Sequence, residues 1–314
     1  MNWVFDWTTI LLWVFLGKKT LQNKVVQYHF IFTFFIVILV SLAWNFQRLG
    51  WTSVFTGLFY GVRWLSYSLL LWPLIQLGKQ INLSKLAKSF SVVFVSLCWL
   101  QYLFLPDMRW LYYFGWDDHY YRVIGPLLDP GFTGLILVFI LVWLWENKTE
   151  RLMQLFTLGA LLLTYSRASF LALFVAMLWL KKPIKIFVVC LVLILALPRI
   201  SGGEGVKLER TTSINARVTN WQSTWKTFLN SPFWGVGFGS VRSDSSLLYV
   251  LATTGVMGLI AYLGYLKSLF KLGPTFGAIL VHSVFLHSLF YPAVLFWIAL
   301  RLAIMESKKS ELLL

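Results

Sequence analysis

Long apolar runs separated by short charged connections are the feature that most constrains this 314-residue chain. Hydrophobic residues make up 59% of the sequence and charged residues only 12%, whereas soluble domains carry about 25% charged residues. The sequence therefore predicts an all-α, polytopic integral membrane protein. No linker and no repeat with a clear period divides it, so we predict a single membrane domain over residues 1–314.

The apolar runs predict about eleven transmembrane helices, several of them short. The predicted spans are Trp3–Leu16, Tyr28–Phe46, Trp51–Leu77, Ser89–Leu105, Leu127–Trp145, Leu152–Thr164, Phe170–Leu180, Ile186–Leu197, Leu247–Leu266, Phe276–Leu286 and Pro292–Ile304. The first run is the weakest, because roughly 14 residues reach only ~21 Å and the hydrocarbon core is ~30 Å thick. It has no basic start and no small-residue cleavage site, so we do not expect a signal peptide.

Lysine clusters in alternate connections set the predicted orientation, since cytoplasmic loops carry an excess of Lys and Arg. The clusters are Lys18-Lys19-Lys24, Lys79-Lys85-Lys88, Lys148-Arg151, Lys181-Lys182-Lys185, Lys267-Lys271 and Lys308-Lys309. The amino terminus is then outside and the carboxyl end inside. One large extracytoplasmic loop covers residues 199–244.

Within that loop, the sequence predicts an amphipathic surface helix near residues 216–229. Val218, Trp221, Trp225 and Phe228 recur at three- and four-residue spacing and form one apolar stripe, with Arg217 one turn before Trp221. Such a helix lies in the membrane interface with one face exposed to water, and it can hold an arginine at the membrane surface.

The excess of Lys and Arg in cytoplasmic loops does not explain the arginines on the predicted outer side. They are Arg48, Arg109, Arg122, Arg167, Arg199, Arg210, Arg217 and Arg242, and Arg63 lies inside a span. A guanidinium holds phosphate through a planar, permanently charged fork, so the cluster suggests an anionic lipid headgroup such as a diphosphate. Snorkelling or ordinary headgroup contact is the alternative. For Arg63 a buried structural ion pair is an equal alternative.

Other polar groups point to chemistry less strongly. Asp117-Asp118-His119 favours a solvated loop over a metal site, and the aromatic residues around it suit sugar stacking or a membrane interface. His282 and His287 predict interhelical hydrogen bonds. Cys98 and Cys190 predict buried free thiols. Because the lysine side bias accounts for most of the net charge of +15, nucleic acid is not an expected partner.

Four stretches, in this order, resemble the bacterial O-antigen ligase and Wzy-type polysaccharide polymerase superfamily. They are Arg122-Val-Ile-Gly-Pro-Leu-Leu-Asp-Pro130 followed by Gly134; Thr164-Tyr-Ser-Arg167-Ala-Ser-Phe-Leu171; Arg217 and Trp221 with Pro232 and Gly235-Val-Gly237-Phe-Gly239; and the segment from Asp244 to Gly258. The resemblance covers roughly residues 122–265, and it rests on the four stretches together.

The resemblance implies a metal-independent glycosyltransferase that needs no cofactor. Such an enzyme moves a sugar chain from an undecaprenyl-diphosphate carrier to an acceptor hydroxyl, at the outer face of the bacterial cytoplasmic membrane. The expected partners are this lipid-linked glycan, membrane lipids, a flippase and a chain-length regulator.

The resemblance also implies roles for individual residues. Arg167 and Arg217 match the phosphate-contacting arginines and are predicted catalytic groups. Arg122 is a weaker candidate for diphosphate binding, and Arg63 is added because of its charge within a span. Asp244 would steer or deprotonate the acceptor hydroxyl. The predicted contacts with the acceptor sugar are Trp221 and Tyr249.

Asp244 departs from the ligase pattern, which has a histidine at this place. A carboxylate, with an ordinary pKa of about 3.9, is a weaker base than imidazole at neutral pH. The departure favours a polymerase that joins lipid-linked repeat units into O-antigen, capsule or exopolysaccharide. A ligase acting on another acceptor and a non-catalytic transporter, flippase-like or export component are the alternatives. Because Asp244 precedes a predicted helix, an N-cap is its structural alternative.

The predicted orientation places Ser201 outside and Lys182 inside. Alkaline phosphatase fused after Ser201 is expected to be active, because its disulfides form outside the cytoplasm, and a fusion after Lys182 is expected to be inactive. Phosphatase activity in intact cells, at matched expression, checks both. An active fusion after Lys182 would show that the sides are assigned wrongly.

Overall fold

The computed structural model describes residues 2–16, 28–117, 119–148, 150–183, 185, 187–189, 192 and 212–311. Within these residues the structure is helical and has no β-strand, which confirms the all-α class; an antiparallel bridge joins Asp107 and Tyr120. Most of the predicted span 186–197, the loop residues 199–211, Asp118 and Cys190 lie outside the described residues.

The helices follow the apolar runs closely. They are α1 (Asn2–Leu16), α2 (Tyr28–Trp44), α3 (Phe46–Ser68), α4 (Leu71–Gly78), α5 (Leu83–Phe104), α6 (Pro130–Glu146), α7 (Arg151–Leu162), α8 (Arg167–Trp179), α9 (Thr212–Asn230), α10 (Ser246–Leu269), α11 (Pro274–Phe285) and α12 (Pro292–Glu311). Short 3₁₀ turns cover Arg109–Phe114, Gly125–Leu127, Phe270–Leu272 and Ser288–Phe290.

Three described stretches are long and apolar enough to cross a membrane: Phe46–Gly78, Leu83–Phe104 and Ser246–Leu272. Other apolar helices, including α2, α6, α7, α8 and α11, are shorter. These lengths and compositions support a membrane protein. The predicted number of about eleven spans is not confirmed and stays a prediction.

The described chain forms two compact units. The first contains Met1–Asn2, Ser84–Ser213 and Gly273–His282, and the second contains Trp3–Leu83, Ile214–Leu272 and Ser283–Leu314. Helix α6 is the core of the first unit, since every side chain from Leu135 to Leu144 is at most 3% exposed. A helix that is apolar on all sides must be surrounded, and α7 and α8 pack against it.

Aromatic side chains hold the core of the second unit together. Helix α2 packs against α3 and α10, while α12 packs against α3 and α4. Phe34 of α2 contacts Trp64 of α3, with ring centroids 4.8 Å apart, and Tyr262 of α10, at 4.7 Å. Because one ring touches both partner helices, these contacts tie three helices at a single point.

An ion pair attaches the short helix α1 to α3. The carboxylate of Asp6 accepts hydrogen bonds from Nε and Nη2 of Arg63, at 2.8 and 2.7 Å, and from the Tyr67 hydroxyl at 2.9 Å. Such pairing satisfies a charge between apolar helices. The structure therefore shows the structural pair as the role of Arg63, and its predicted contact with a diphosphate stays a prediction.

The connection after α5 displays aromatic rings. Met108 and Leu111 are buried with Ile124 and anchor the 3₁₀ turn. Tyr112, Tyr113 and Phe114 are 71%, 87% and 71% exposed. Both predicted roles for these rings, sugar stacking and a membrane interface, agree with this exposure.

Candidate functional site in the second unit

Helix α9 carries Arg217 and Trp221 on one face. It covers Thr212–Asn230, a range that includes residues 216–229, and it ends where Ser231 and Pro232 follow. Val218 and Trp225 are 41% and 46% exposed, while Arg217 and Trp221 are half-buried. The helix is therefore only partly covered. Its position at a membrane surface stays a prediction.

Asn220 fastens α9 to the segment that precedes α10. Its Oδ1 accepts a hydrogen bond from the backbone N–H of Asp244 at 3.0 Å, and its Nδ2 donates to the Arg242 carbonyl at 3.2 Å. Residues three apart are neighbours on a helix surface, so Arg217 lies one turn from this clamp. The structure thus bonds Asp244 to α9, the helix that carries Arg217, although the two residues are separated in the sequence.

The start of α10 corrects the predicted N-cap. Ser245, not Asp244, is the N-cap residue, and its side chain accepts a hydrogen bond from Leu248 N–H. The serine hydroxyl satisfies a backbone donor that a helix start leaves without a partner. The Asp244 carboxylate is consequently not needed for the cap, although it lies at the positive end of the helix dipole.

A break in α10 explains the glycine at position 255 and the Gly-rich segment 235–239. Gly255 has φ +69°, and Val256 N–H donates to the Pro232 carbonyl at 2.8 Å instead of continuing the helix. The carbonyls of Ala252 and Thr253 accept from the N–H groups of Val236 and Gly237, at 2.9 and 3.0 Å. The Gly-rich segment 235–239 therefore lies directly against the broken turn of α10.

Polar side chains at the start of α3 hold the same Gly-rich segment. Asn45 donates from Nδ2 to the Gly235 carbonyl at 3.0 Å, and Arg48 donates from Nη2 to the Val236 carbonyl at 2.6 Å. Arg48, one of the arginines on the predicted outer side, thus has a structural role in this loop.

Tyr249 of α10 is buried and already bonded. It is 6% exposed, and its hydroxyl accepts a hydrogen bond from the Gly239 N–H at 3.0 Å. These contacts make it a support for the Gly-rich segment. Its predicted contact with the acceptor sugar stays a prediction.

The turn after α11 lies against the start of α10. Ser246 donates from Oγ to the Leu286 carbonyl at 3.3 Å and accepts from the Leu289 N–H at 3.2 Å. Between these two anchors lies His287, whose ring centroid is 4.4 Å from that of Tyr249. Trp221 of α9 contacts Phe285, with ring centroids 6.0 Å apart.

These contacts define the candidate site as the start of α10, the facing side of α9 and the turn 286–290. The predicted residues that the structure gathers there are Arg217, Trp221, Asp244 and Tyr249. Two polar atoms at the site are buried and have no hydrogen-bond partner among the described residues, namely Nε1 of Trp221 and Nδ1 of His287. Buried polar atoms are usually paired, so these two atoms remain available for hydrogen bonds with a ligand.

Asn220 and His287 are site residues that sequence reasoning missed. His287 carries only the prediction of an interhelical hydrogen bond, which does not occur with the described residues. A usable signal was present, because the predicted spans 276–286 and 292–304 leave residues 287–291 as a turn on the outer side, where Asp244 is also predicted. Asn220 follows Arg217 by three residues on the predicted helix, but nothing in the sequence indicates its bonds.

Arg167 begins α8 in the first unit, inside a buried polar turn. Ser166 is the N-cap and accepts from Ser169 N–H. The Ser169 hydroxyl bonds to the Gly131 carbonyl at 3.1 Å, and His282 Nε2 lies 3.1 Å from the same carbonyl. The predicted interhelical bonding of His282 is therefore present. Arg167 itself is half-buried.

The guanidinium of Arg122 supports this turn. Arg122 is 3% exposed, and its Nε and Nη2 both donate to the Thr164 carbonyl, at 3.0 and 2.8 Å. Cationic side chains commonly satisfy the carbonyls at a helix end, and α7 ends two residues earlier. The observed role of Arg122 is to position the turn that precedes Arg167. Its predicted contact with a diphosphate stays a prediction.

Comparison with known families agrees with the motifs. Residues 152–263 match the family model described as O-antigen ligase, a range that contains Arg167, Arg217, Trp221, Asp244 and Tyr249. Over these residues the match supports the O-antigen ligase and Wzy-type superfamily, and it confirms the resemblance of the motifs there. Glycan ligases and polymerases make up this family, so the match supports an enzyme of that type. Comparison with curated proteins gives no match.

Replacing Gly255 tests the broken turn of α10. A Cβ there would overlap the backbone of Phe233, whereas at Gly50 it would meet nothing within 4 Å, although φ is +70° at Gly50 and +69° at Gly255. Backbone in this region costs a non-glycine residue on the order of 1–3 kcal/mol, and the overlap adds about 1–3 kcal/mol. Gly255→Ala should therefore lower the thermal unfolding midpoint in detergent more than Gly50→Ala. Equal shifts would mean that the contact with Phe233 is unimportant.

Proposed function

We propose that the protein polymerises undecaprenyl-diphosphate-linked oligosaccharide repeat units into surface polysaccharide, at the outer face of the bacterial cytoplasmic membrane. The observation that carries the proposal is the bonding of Asn220, on the helix that bears Arg217, to the Asp244 N–H through Oδ1 and to the Arg242 carbonyl through Nδ2. A cation for a leaving diphosphate and a carboxylate for an acceptor hydroxyl then belong to one site.

Arg217 is suited to bind the diphosphate. Its half-buried guanidinium makes no hydrogen bond or ion pair with residues 212–311, whereas Arg63 and Arg109 are paired with Asp6 and Asp107. An arginine that has no acidic partner in the described part of the chain keeps its planar fork available for phosphate oxygens. Stabilising the charge that develops on the departing diphosphate is the largest contribution such a group makes.

Asp244 is suited to orient the acceptor hydroxyl. In the proposed step the hydroxyl oxygen attacks the anomeric carbon of the lipid-linked glycan as its proton passes to the Asp244 carboxylate. The bond between that carbon and the diphosphate oxygen breaks, and undecaprenyl diphosphate leaves with both electrons of the bond. In a polymerase the acceptor is a second repeat unit, and the aspartate in place of the ligase histidine supports that branch.

Arg167 of the first unit is also proposed to bind diphosphate, because of the motif that contains it. Its position adds a physical argument: a cation at the first residue of a helix faces the positive end of the helix dipole, which is unfavourable. An anion at that place would be attracted by both the guanidinium and the helix start.

Replacing Arg217 tests the proposal. Arg217→Ala is expected to lower the transfer rate by about 100-fold or more, as removal of a transition-state hydrogen-bond donor does, and Arg217→Lys should recover only part of it. Polymer length on gels, in a strain that lacks the wild-type copy, gives the readout, with the amount of inserted protein measured in parallel. Lys226→Ala, an exposed cation on the same helix, is the matched control. Long polysaccharide in the Arg217→Ala strain would refute the role.

Replacing Asp244 separates chemistry from structure. Asp244→Asn keeps the backbone N–H that bonds to Asn220 and leaves the Ser245 cap intact, so the protein should insert normally but lose polymerisation. Ser245→Ala should do the reverse, with a stability loss of about 1 kcal/mol and near-normal turnover per folded molecule. Thermal unfolding and polymer length, measured on both variants, check this. Full activity of Asp244→Asn would exclude the carboxylate from the reaction.

A further inference from the structure

His287 lies in a turn that is bonded to the start of α10. The second residue after Asp244 is Ser246, which bonds to the backbone of Leu286 and of Leu289 on either side of His287. The turn that carries His287 is thereby fixed at the end of α10 where Asp244 lies.

Aromatic contacts hold the His287 ring, rather than hydrogen bonds to the described residues. The ring is stacked on Phe290 with an interplanar angle of 10° and a centroid distance of 4.8 Å, and Tyr249 meets it edge-on at 4.4 Å. Its Nδ1 is buried without a partner in the described part of the chain. A buried nitrogen without a partner is costly, so a hydrogen bond from a bound group to this nitrogen would be favourable.

The surroundings also fix the charge of this ring. His287 lies in a turn outside the helices, and burial lowers the pKa of His287 to about 4, because burial disfavours the imidazolium. At neutral pH the ring is therefore neutral, with one nitrogen that donates and one that accepts. A neutral ring of this kind pairs with a hydroxyl group better than with an anion.

Trp221 adds a second group of the same kind. Its indole N–H, a donor only, is buried and has no acceptor among the described residues. The Trp221 ring contacts Phe285, two residues before His287. Aromatic surfaces with a few unsatisfied neutral donors and acceptors match a sugar, which offers apolar faces and hydroxyl groups.

We propose that His287 hydrogen-bonds a hydroxyl group of the acceptor sugar and so helps to select the hydroxyl that is presented to Asp244. This rests on the proposed function, because the acceptor is defined by glycan transfer. His287 then touches substrate without taking its proton. It is a specificity-determining residue of the acceptor site.

The test uses purified full-length protein and the lipid-linked glycan that accumulates in a deletion strain. Part of that glycan, released from its lipid by mild acid, serves as soluble acceptor at varied concentration. His287→Phe keeps the stacking and removes both nitrogens, so the KM for the acceptor should rise about tenfold, as expected for one or two lost hydrogen bonds. The kcat and the KM for the lipid-linked donor should stay within twofold of wild type. His287→Gln, which retains a donor and an acceptor, should restore part of the affinity.

Controls distinguish the possible failures. His29→Phe changes an exposed histidine of α2 and should behave as wild type. An unchanged acceptor KM in His287→Phe, or an equal loss in kcat and in both KM values, overturns the role of His287. If His287→Phe does not insert, His287→Gln decides by the same criterion.

A binding measurement separates this inference from the proposed function. Saturation-transfer NMR of the released glycan with wild-type and variant protein reports binding without turnover. Binding by wild type that His287→Phe weakens, without transfer by wild type, would refute the polymerase and support the contact. If wild type neither binds nor transfers this glycan, both proposals are wrong.

Discussion

Backbone hydrogen bonding at the break in α10 is the constraint on which the candidate site depends. A helix interrupted inside an apolar unit leaves N–H and C=O groups without partners, and such groups are tolerated only where other protein groups bond to them. At Gly255 these partners come from Pro232, Val236 and Gly237, so the segment before α10 has to run alongside it. The Thr253 carbonyl accepts a further bond from the Ser41 hydroxyl at 2.7 Å, which joins α2 to the same place.

Hydrogen bonds of neutral side chains connect the broken turn of α10 with the candidate site. Tyr249 accepts a bond from Gly239, Asn220 bonds on both sides of residue 243, and Ser246 fixes the turn that holds His287. Because these amide and hydroxyl groups hold the described segments together, Arg217 is not needed for that purpose. A guanidinium used as a structural tie, as in Arg63 and Arg122, has its donors directed at the protein instead of at a ligand.

Helix positions could be predicted from the sequence because apolar runs and Gly/Pro stops are local signals. The match between the predicted run Leu127–Trp145 and α6, and the end of α9 at Asn230, illustrate this. The number of membrane-spanning helices is harder to predict. Several apolar helices are shorter than a bilayer requires, and their length alone does not show whether they cross it. The order of the motifs was sufficient to predict the superfamily.

Side-chain partners could not be predicted, because they depend on tertiary contacts between distant segments. Nothing local indicates that Ser245 rather than Asp244 caps α10, since both residue types are good caps. Arg122 and Arg217 look alike in sequence, but one is buried against a carbonyl and the other is half-exposed on α9. His287 was overlooked because it lies 43 positions after Asp244, and the two segments come together only in the fold, through the bonds of Ser246 and the ring contact of Tyr249.

The proposed chemistry also explains why a carboxylate suffices at position 244. In transfer from a lipid diphosphate, the bond that breaks leaves charge on phosphate oxygens, so stabilisation is needed mainly at the leaving group, where an arginine acts. A leaving group stabilised in this way reduces the demand on the base, because the acceptor oxygen can begin to bond before its proton is fully lost. The remaining requirement is orientation of one hydroxyl among several on a sugar. A carboxylate held by its backbone at the start of α10, with neutral hydrogen-bonding groups around the acceptor, meets that requirement.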